Sequence, residues 1–260
     1  MAPRRFRFHT FGRYEKQVNK MTAKETILGV NVSNHTYETL VAQVYDRAEQ
    51  NKQSFIVAVN PEKIVKAEKD AGLRELINSA DFQIPDGVGV LIASKIQGGS
   101  IKERITGVDL MIEIVKEAQA RQKSIFLYGA KPGIAEKAKA SLQEEYPYLQ
   151  VAGVMDGYNH SDEAVIKAVN ESHSDILFVA MGSPRQEEWI NQNKNKICAR
   201  VFQGVGGSFD VLAGVTKRAP AFFRNVGLEW LYRLLSEPKR WKRQMALPSF
   251  IYKALIMKNK

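Results

Sequence analysis

The chain has one cysteine, Cys198, so neither an internal disulfide framework nor a thiolate metal cluster is open to it. A lone free cysteine usually behaves as a small hydrophobe, and Cys198 is expected to fill the core. The four histidines, His9, His35, His160 and His173, are scattered, and no Asp-x-Asp occurs to hold a divalent ion on a diphosphate. The residues therefore call for no metal and no cofactor. No run of about 18 apolar residues exists to span a bilayer. The N-terminus also lacks the apolar core of a secretory signal, which points to the cytoplasm.

Negative charge is scarce in the last segment of the chain. The 260 residues carry a formal charge of +10, and residues 217–260 hold eleven Lys or Arg against two Glu, a net +9. Phe222, Phe223, Trp230, Tyr232, Trp241, Phe250 and Tyr252 interleave with these cations, a mixture that suits an anionic lipid interface. Pro220, Pro238 and Pro248 divide the segment into short helices. The expected division is a basic, mobile extension over 1–24, an α/β core over 25–216 and a membrane-binding appendage over 217–260.

With 44% apolar residues the core is large enough for one substantial domain. A short strand is expected over 26–32, a helix over 36–50, and apolar strands over 54–59, 82–84, 124–128, 150–154, 176–180 and 200–203. Helical patterns separate most of them, at 108–121, 134–146, 162–172 and 186–193. This alternation predicts a largely parallel, Rossmann-like sheet with helices on both faces.

Polar and glycine residues gather where the strand-like runs stop, the place where open α/β sheets hold their ligands. Val59-Asn60-Pro61-Glu62-Lys63 ends one run, and Ile84-Pro85-Asp86-Gly87-Val88-Gly89 the next, followed by Arg104-Ile105-Thr106-Gly107. Asp86, at a strand-to-helix turn, suits a general base that takes a hydroxyl's proton; an ordinary helix cap is the other role open to it. Gly129-Ala130-Lys131-Pro132-Gly133 is either a tight turn or an anion site, matching neither the dinucleotide fingerprint nor the P-loop. Asp156-Gly157-Tyr158 brings an aromatic face suited to stacking on a base. Gly182-Ser183-Pro184-Arg185-Gln186-Glu187 gives Arg185 and Gln186 access to the same edge. Gly204-Val205-Gly206-Gly207-Ser208-Phe209-Asp210 allows close backbone approach to a ligand at Gly206 and Gly207, with Asp210 as acceptor. Without a metal, a diphosphate leaving group would rely on arginines and helix N-termini, and Arg104, Arg185 and the C-terminal arginines are the available donors.

Together with Phe126-Leu127-Tyr128-Gly129-Ala130, these motifs closely resemble the WecG/TagA/CpsF glycosyltransferase family, from about residue 26 to the C-terminus. The resemblance implies transfer of a sugar, N-acetylmannosamine in the best-known branch, from its UDP form to undecaprenyl-diphosphate-linked N-acetylglucosamine. The product serves wall teichoic acid, enterobacterial common antigen or capsule. By this resemblance Asp86 is the base of a single inverting displacement, and Asn60, Arg104 and Gln186 line the sugar and diphosphate site. Tyr158 and Asp210 match positions near the nucleotide, and Arg233, Arg240 and Arg243 approach the lipid diphosphate at the inner membrane face. One departure is Ala58, where teichoic-acid members usually carry Thr, which removes a possible hydrogen bond to donor or acceptor. The oligomeric state is open, a homo-oligomer included. A basic nucleic-acid-binding protein is the rival reading, but no recognised binding module appears and the strand-end motifs go unexplained by it; nucleic acid is not expected as a partner. A nicotinamide-dependent enzyme lacks its fingerprint.

Overall fold

The computed structural model describes residues 24–220, 222–223, 227, 229–236 and 246–258. Arg240, Arg243, the side chain of Arg233 and the extension up to residue 23 lie outside the described residues.

The chain enters through a hairpin, β1 (Lys24–Ile27) and β2 (Val30–Ser33), paired antiparallel. The single strand expected over 26–32 is thus corrected to two. Leu28 and Gly29 both take positive φ, 49° and 82°, and form the two-residue turn that matches the twist of a hairpin. Leucine is rare in that region, so the residue types concealed the reversal.

The rest alternates as the pattern predicts. Helix α1 (Tyr37–Glu49) starts from a capping box made by Thr36 and Thr39. It leads to β3 (Ser54–Val59), α2 (Pro61–Lys69), α3 (Ala71–Asn78), β4 (Phe82–Pro85), α4 (Val88–Ile96) and α5 (Gly107–Ala120). Then come β5 (Ser124–Gly129), α6 (Ile134–Glu145), β6 (Gln150–Met155), α7 (Asp162–Glu171), β7 (Ile176–Ala180) and α8 (Arg185–Asn193). The described chain closes with β8 (Val201–Gly204), α9 (Ser208–Leu212), α10 (Glu229–Ser236) and α11 (Ala246–Lys258).

The six strands β3–β8 form one parallel sheet in the order β4-β3-β8-β7-β5-β6. Both faces are buried, which is why the strands read as continuous apolar runs. Phe55, Val57 and Val59 point into one core with Ile64 of α2, Val90 of α4, Val165 of α7 and Ile190 of α8. Ile56, Ile125, Leu127 and Phe178 point into the other, against Leu40 and Val44 of α1, Leu110 and Ile114 of α5 and Leu142 of α6. From β5 the chain turns outward through α6 to β6, whereas from β7 it turns the opposite way through α8 to β8. The connections diverge there, at the strands' C-terminal ends, the kind of place where open α/β sheets bind ligands.

Helix α11 belongs to this packing. Phe250 and Ala254 have no exposed surface and join the core beside α2 and α4, with Leu247 and Ile251 alongside and Lys253 paired with Glu68. Residues 217–260, distinct by charge, are therefore joined to the core by their last helix. Among the described residues no helix is long and apolar enough to cross a membrane.

Cys198 corrects a second expectation, since it is exposed. It lies between buried Ile197 and Ala199 in an extended stretch, where alternation turns the middle side chain outward.

His35 is buried edge-on against Phe82, with ring centroids 5.6 Å apart. Burial, helped by the charge of Lys24, pushes its imidazole from the usual 6.5 down to about 4. Between those values the unfolded chain binds the proton and the folded chain does not, so this stability is present above pH 6.5 and lost as the pH falls toward 4. The urea midpoint should accordingly fall between pH 7 and pH 4.5, and fall less in His35→Asn; equal slopes for both proteins would remove His35 as the cause.

Candidate active site

Because every strand of the sheet is parallel, all the strand-end motifs emerge at one edge. At its β3/β4 end, Asp86 follows β4 and its backbone N–H donates to the carbonyl of Val59 at 2.8 Å. The turn after β4 is thereby stitched to the end of β3, and Gly87 lies against Asn60 and Pro61. Asn60 caps α2, its Oδ1 accepting from the Lys63 N–H at 2.9 Å, so the NH2 end of its amide is the part that can meet a ligand. Asp86 itself is half-buried.

Arg104 reaches the same place because the next residue extends the edge of β4, the Ile105 N–H donating to the carbonyl of Pro85 at 3.0 Å. Thr106 then caps α5, and the carbonyl of Gly107 accepts from buried Gln203 Nε2 at 2.8 Å. The guanidinium of Arg104 is mostly buried and meets Glu229 Oε2 of α10 at 2.6 Å. Arg218 holds Asp109 of α5 at 2.5 Å. The C-terminal segment thus reaches the candidate catalytic edge at two points. A third contact is steric: a Cβ on Gly89 would come within 2.6 Å of both Leu247 of α11 and Pro61 of α2, so only glycine lets these three elements meet.

Across the sheet, the ends of β5 and β7, where the connections diverge, are held by backbone contacts. The Ala130 N–H donates to the carbonyl of Ala180 at 2.7 Å, and the Gly157 N–H to the carbonyl of Ala130 at 3.0 Å. Tyr158 projects with 63% of its surface exposed, above a turn in which Asp156 accepts from the Tyr158 N–H at 2.9 Å. That backbone N–H, helped by His160, holds the Asp156 carboxyl below its usual value. Beneath the loop, Tyr128 packs on Trp189 with ring centroids 4.9 Å apart.

Gln186 and the glycine loop join the two halves, since β8 lies between β3 and β7. Gln186 is only 4% exposed, and its Oε1 accepts from the Gly206 N–H at 2.9 Å. It lies under the loop that holds Gly206 and Gly207. Asp210 sits half-buried on α9, where its carbonyl accepts from the Val215 and Thr216 N–H groups.

The geometry therefore brings Asn60, Asp86 and Arg104 together at one end of the edge, and Gln186, Gly206, Gly207, Asp210 and Tyr158 along the rest. Glu229 and the buried partners Lys63 and Glu187 were not singled out from the sequence. Lys63 and Glu187 lie inside two of the quoted motifs and the signal was their position there; Glu229 carries no local signal, because its contact spans 125 residues.

The glycosyl transferase WecG/TagA/CpsF family matches residues 25–260. A relative from Staphylococcus aureus, named N-acetylglucosaminyldiphosphoundecaprenol N-acetyl-beta-D-mannosaminyltransferase, is 38% identical over 241 residues, 92% of this chain and 95% of its own length. A protein of the same name from Bacillus spizizenii is 38% identical over 203 residues, 78% of this chain and 79% of that one. With a match over nearly the whole length and the expected motifs on one edge of the expected sheet, this chain belongs to the WecG/TagA/CpsF glycosyl transferase family.

Proposed function

We propose that this chain moves N-acetylmannosamine from a UDP-linked donor to the sugar of N-acetylglucosaminyl-diphosphoundecaprenol, in the synthesis of a surface polysaccharide such as wall teichoic acid. The observation that carries this reading is the stitching of Asp86 beside Asn60 and Arg104 at the C-terminal edge, in a chain 38% identical to transferases named for that reaction. An acceptor hydroxyl attacks the anomeric carbon and gives its proton to the Asp86 carboxylate. The bond from that carbon to the diphosphate breaks in the same step, and its electron pair leaves with UDP. Configuration inverts, which agrees with the beta linkage in the relatives' names. Arg104 supplies positive charge for the diphosphate, while Tyr158, Asp210 and the Gly206 loop receive the nucleotide. The direct test is turnover with a panel of UDP-sugars and a short-chain lipid-diphosphate N-acetylglucosamine acceptor. Turnover with UDP-N-acetylmannosamine is expected; transfer from a different donor alone would reassign the sugar and connect Ala58 to that change.

The lipid acceptor calls for a membrane surface. The outer side of α11 exposes Tyr252, Leu255 and Ile256, in a segment with a net charge of +9 against +10 for the whole chain. A peripheral attachment to anionic lipid uses both features. Replacing all three residues by Ser should weaken binding to anionic liposomes at least tenfold, given about 1.5–3 kcal/mol for each large apolar side chain fully buried. Unchanged liposome binding would count against this face, and salt-sensitive binding to DNA without liposome binding would favour the nucleic-acid reading.

A further inference from the structure

An ion pair that the proposed displacement does not use lies under the candidate site. Lys63 Nζ is 2.8 Å from Glu187 Oε1, and the two side chains are 9% and 1% exposed. Taking two charges out of water costs several kcal/mol per ion, and apolar residues of the same volume often stabilise a fold as well or better. Stability is therefore a weak account of the pair, and its connections are more informative. Lys63 stands in the first turn of α2, where Asn60 caps its backbone N–H. Glu187 Oε1 also accepts from Gln186 Nε2 at 3.1 Å.

That contact decides how Gln186 is seated. An amide side chain fits in either of two orientations, but an ionised carboxylate only accepts, so the NH2 end must face Glu187. The Oε1 end then faces the glycine loop, where it accepts from Gly206. The fit is close: a Cβ on Gly204 would stand 2.6 Å from Gln186 Nε2. Glu187 Oε2 is buried without a hydrogen bond among the described residues, and Lys63 is the cation paired with this carboxylate.

We infer that Lys63 and Glu187 are positioning residues: their buried ion pair fixes the Gln186 amide and, through it, holds the Gly206 N–H and its loop in register with the Asn60 side of the site. The ligand that benefits is the donor nucleotide, an identification that rests on the proposed reaction.

Two variants and two kinds of measurement test this. Glu187→Gln keeps the shape but lets the new amide donate as well as accept, and the double variant Lys63→Met/Glu187→Gln leaves no unpaired buried charge to unfold the chain. In both, hydrogen exchange at the Gly206 amide, read by NMR, should quicken about tenfold, as expected for loss of a charge-assisted contact. UDP dissociation constant and donor KM should rise by a similar factor, with kcat changed less than about threefold. A pair that is merely structural would lower the melting temperature and the active fraction while Gly206 exchange and donor KM stay the same. That result overturns the inference, as does faster Gly206 exchange with unaltered UDP affinity. A wild-type protein that neither binds UDP nor turns over any donor would sink the proposed reaction instead, while the exchange measurement still decides whether the pair sets Gly206.

Discussion

Asp86→Asn should bind UDP as the wild type does and lose about 10²–10⁴-fold in kcat, the usual contribution of a positioned proton acceptor. The substitution keeps the side chain's size and leaves untouched the backbone bonds that build the turn, from Asp86 N–H to Val59 and from Ile105 N–H to Pro85. What disappears is the negative charge proposed to accept the proton of the attacking sugar hydroxyl. A carboxylate is a weak base, so the usefulness of Asp86 depends on its placement against the hydroxyl. For that reason the loss should fall on kcat, with donor KM nearly constant. Steady-state kinetics beside calorimetric UDP binding would read both quantities. A rate close to wild type would remove Asp86 as the base and return it to the role of a turn residue.

Phe250→Ala should lower the unfolding free energy by about 3–5 kcal/mol, the range for deleting a fully buried aromatic ring. Phe250 has no exposed surface and packs in the core shared by α2 and α4. Its helix also presses Leu247 against Gly89, two residues past the turn that carries Asp86, so the loss of packing should reach activity as well as stability. Tyr252, two residues on, is 66% exposed, and Tyr252→Ala should change stability by no more than about 0.5 kcal/mol. Urea unfolding of the two variants makes the comparison. A cost below about 1 kcal/mol for Phe250→Ala would mean that α11 is an appendage in packing as well as in charge. The same reasoning makes a truncation ahead of α11 a poor probe of membrane binding, because it would uncover Val90, Ala93 and Ile64.

Much of the fold was legible because its signals are local. Apolar runs of strand length, broken by Asn60-Pro61, Asp86-Gly87 and the glycines after β5 and β8, mark both the strands and the edge where they end. A parallel sheet follows, since helices fall between most of the runs. Other features had no local signal. The Leu28-Gly29 reversal uses a residue type that rarely accepts positive φ. Cys198 is turned outward by the neighbours that alternate with it. Helix α11 lies in a stretch whose cations and aromatics suggest an interface, and the burial of Phe250 depends on α2 and α4, which come far earlier in the chain.

The sequence by itself determined the α/β class, the six strand ends, the polar and glycine residue types gathered at them, and the excess of positive over negative charge in the last segment. These depend on periodicity and composition, which any window of the chain displays. Only the tertiary structure decided the strand order, the divergence of the connections between β5 and β7, the contact of Arg104 with Glu229, and the burial of Lys63 and Glu187 under the glycine loop. Those contacts join residues 125 and 124 positions apart. Their energy comes from removing charge and apolar surface from water together, a cooperative property of the packed chain that no local pattern of residues contains.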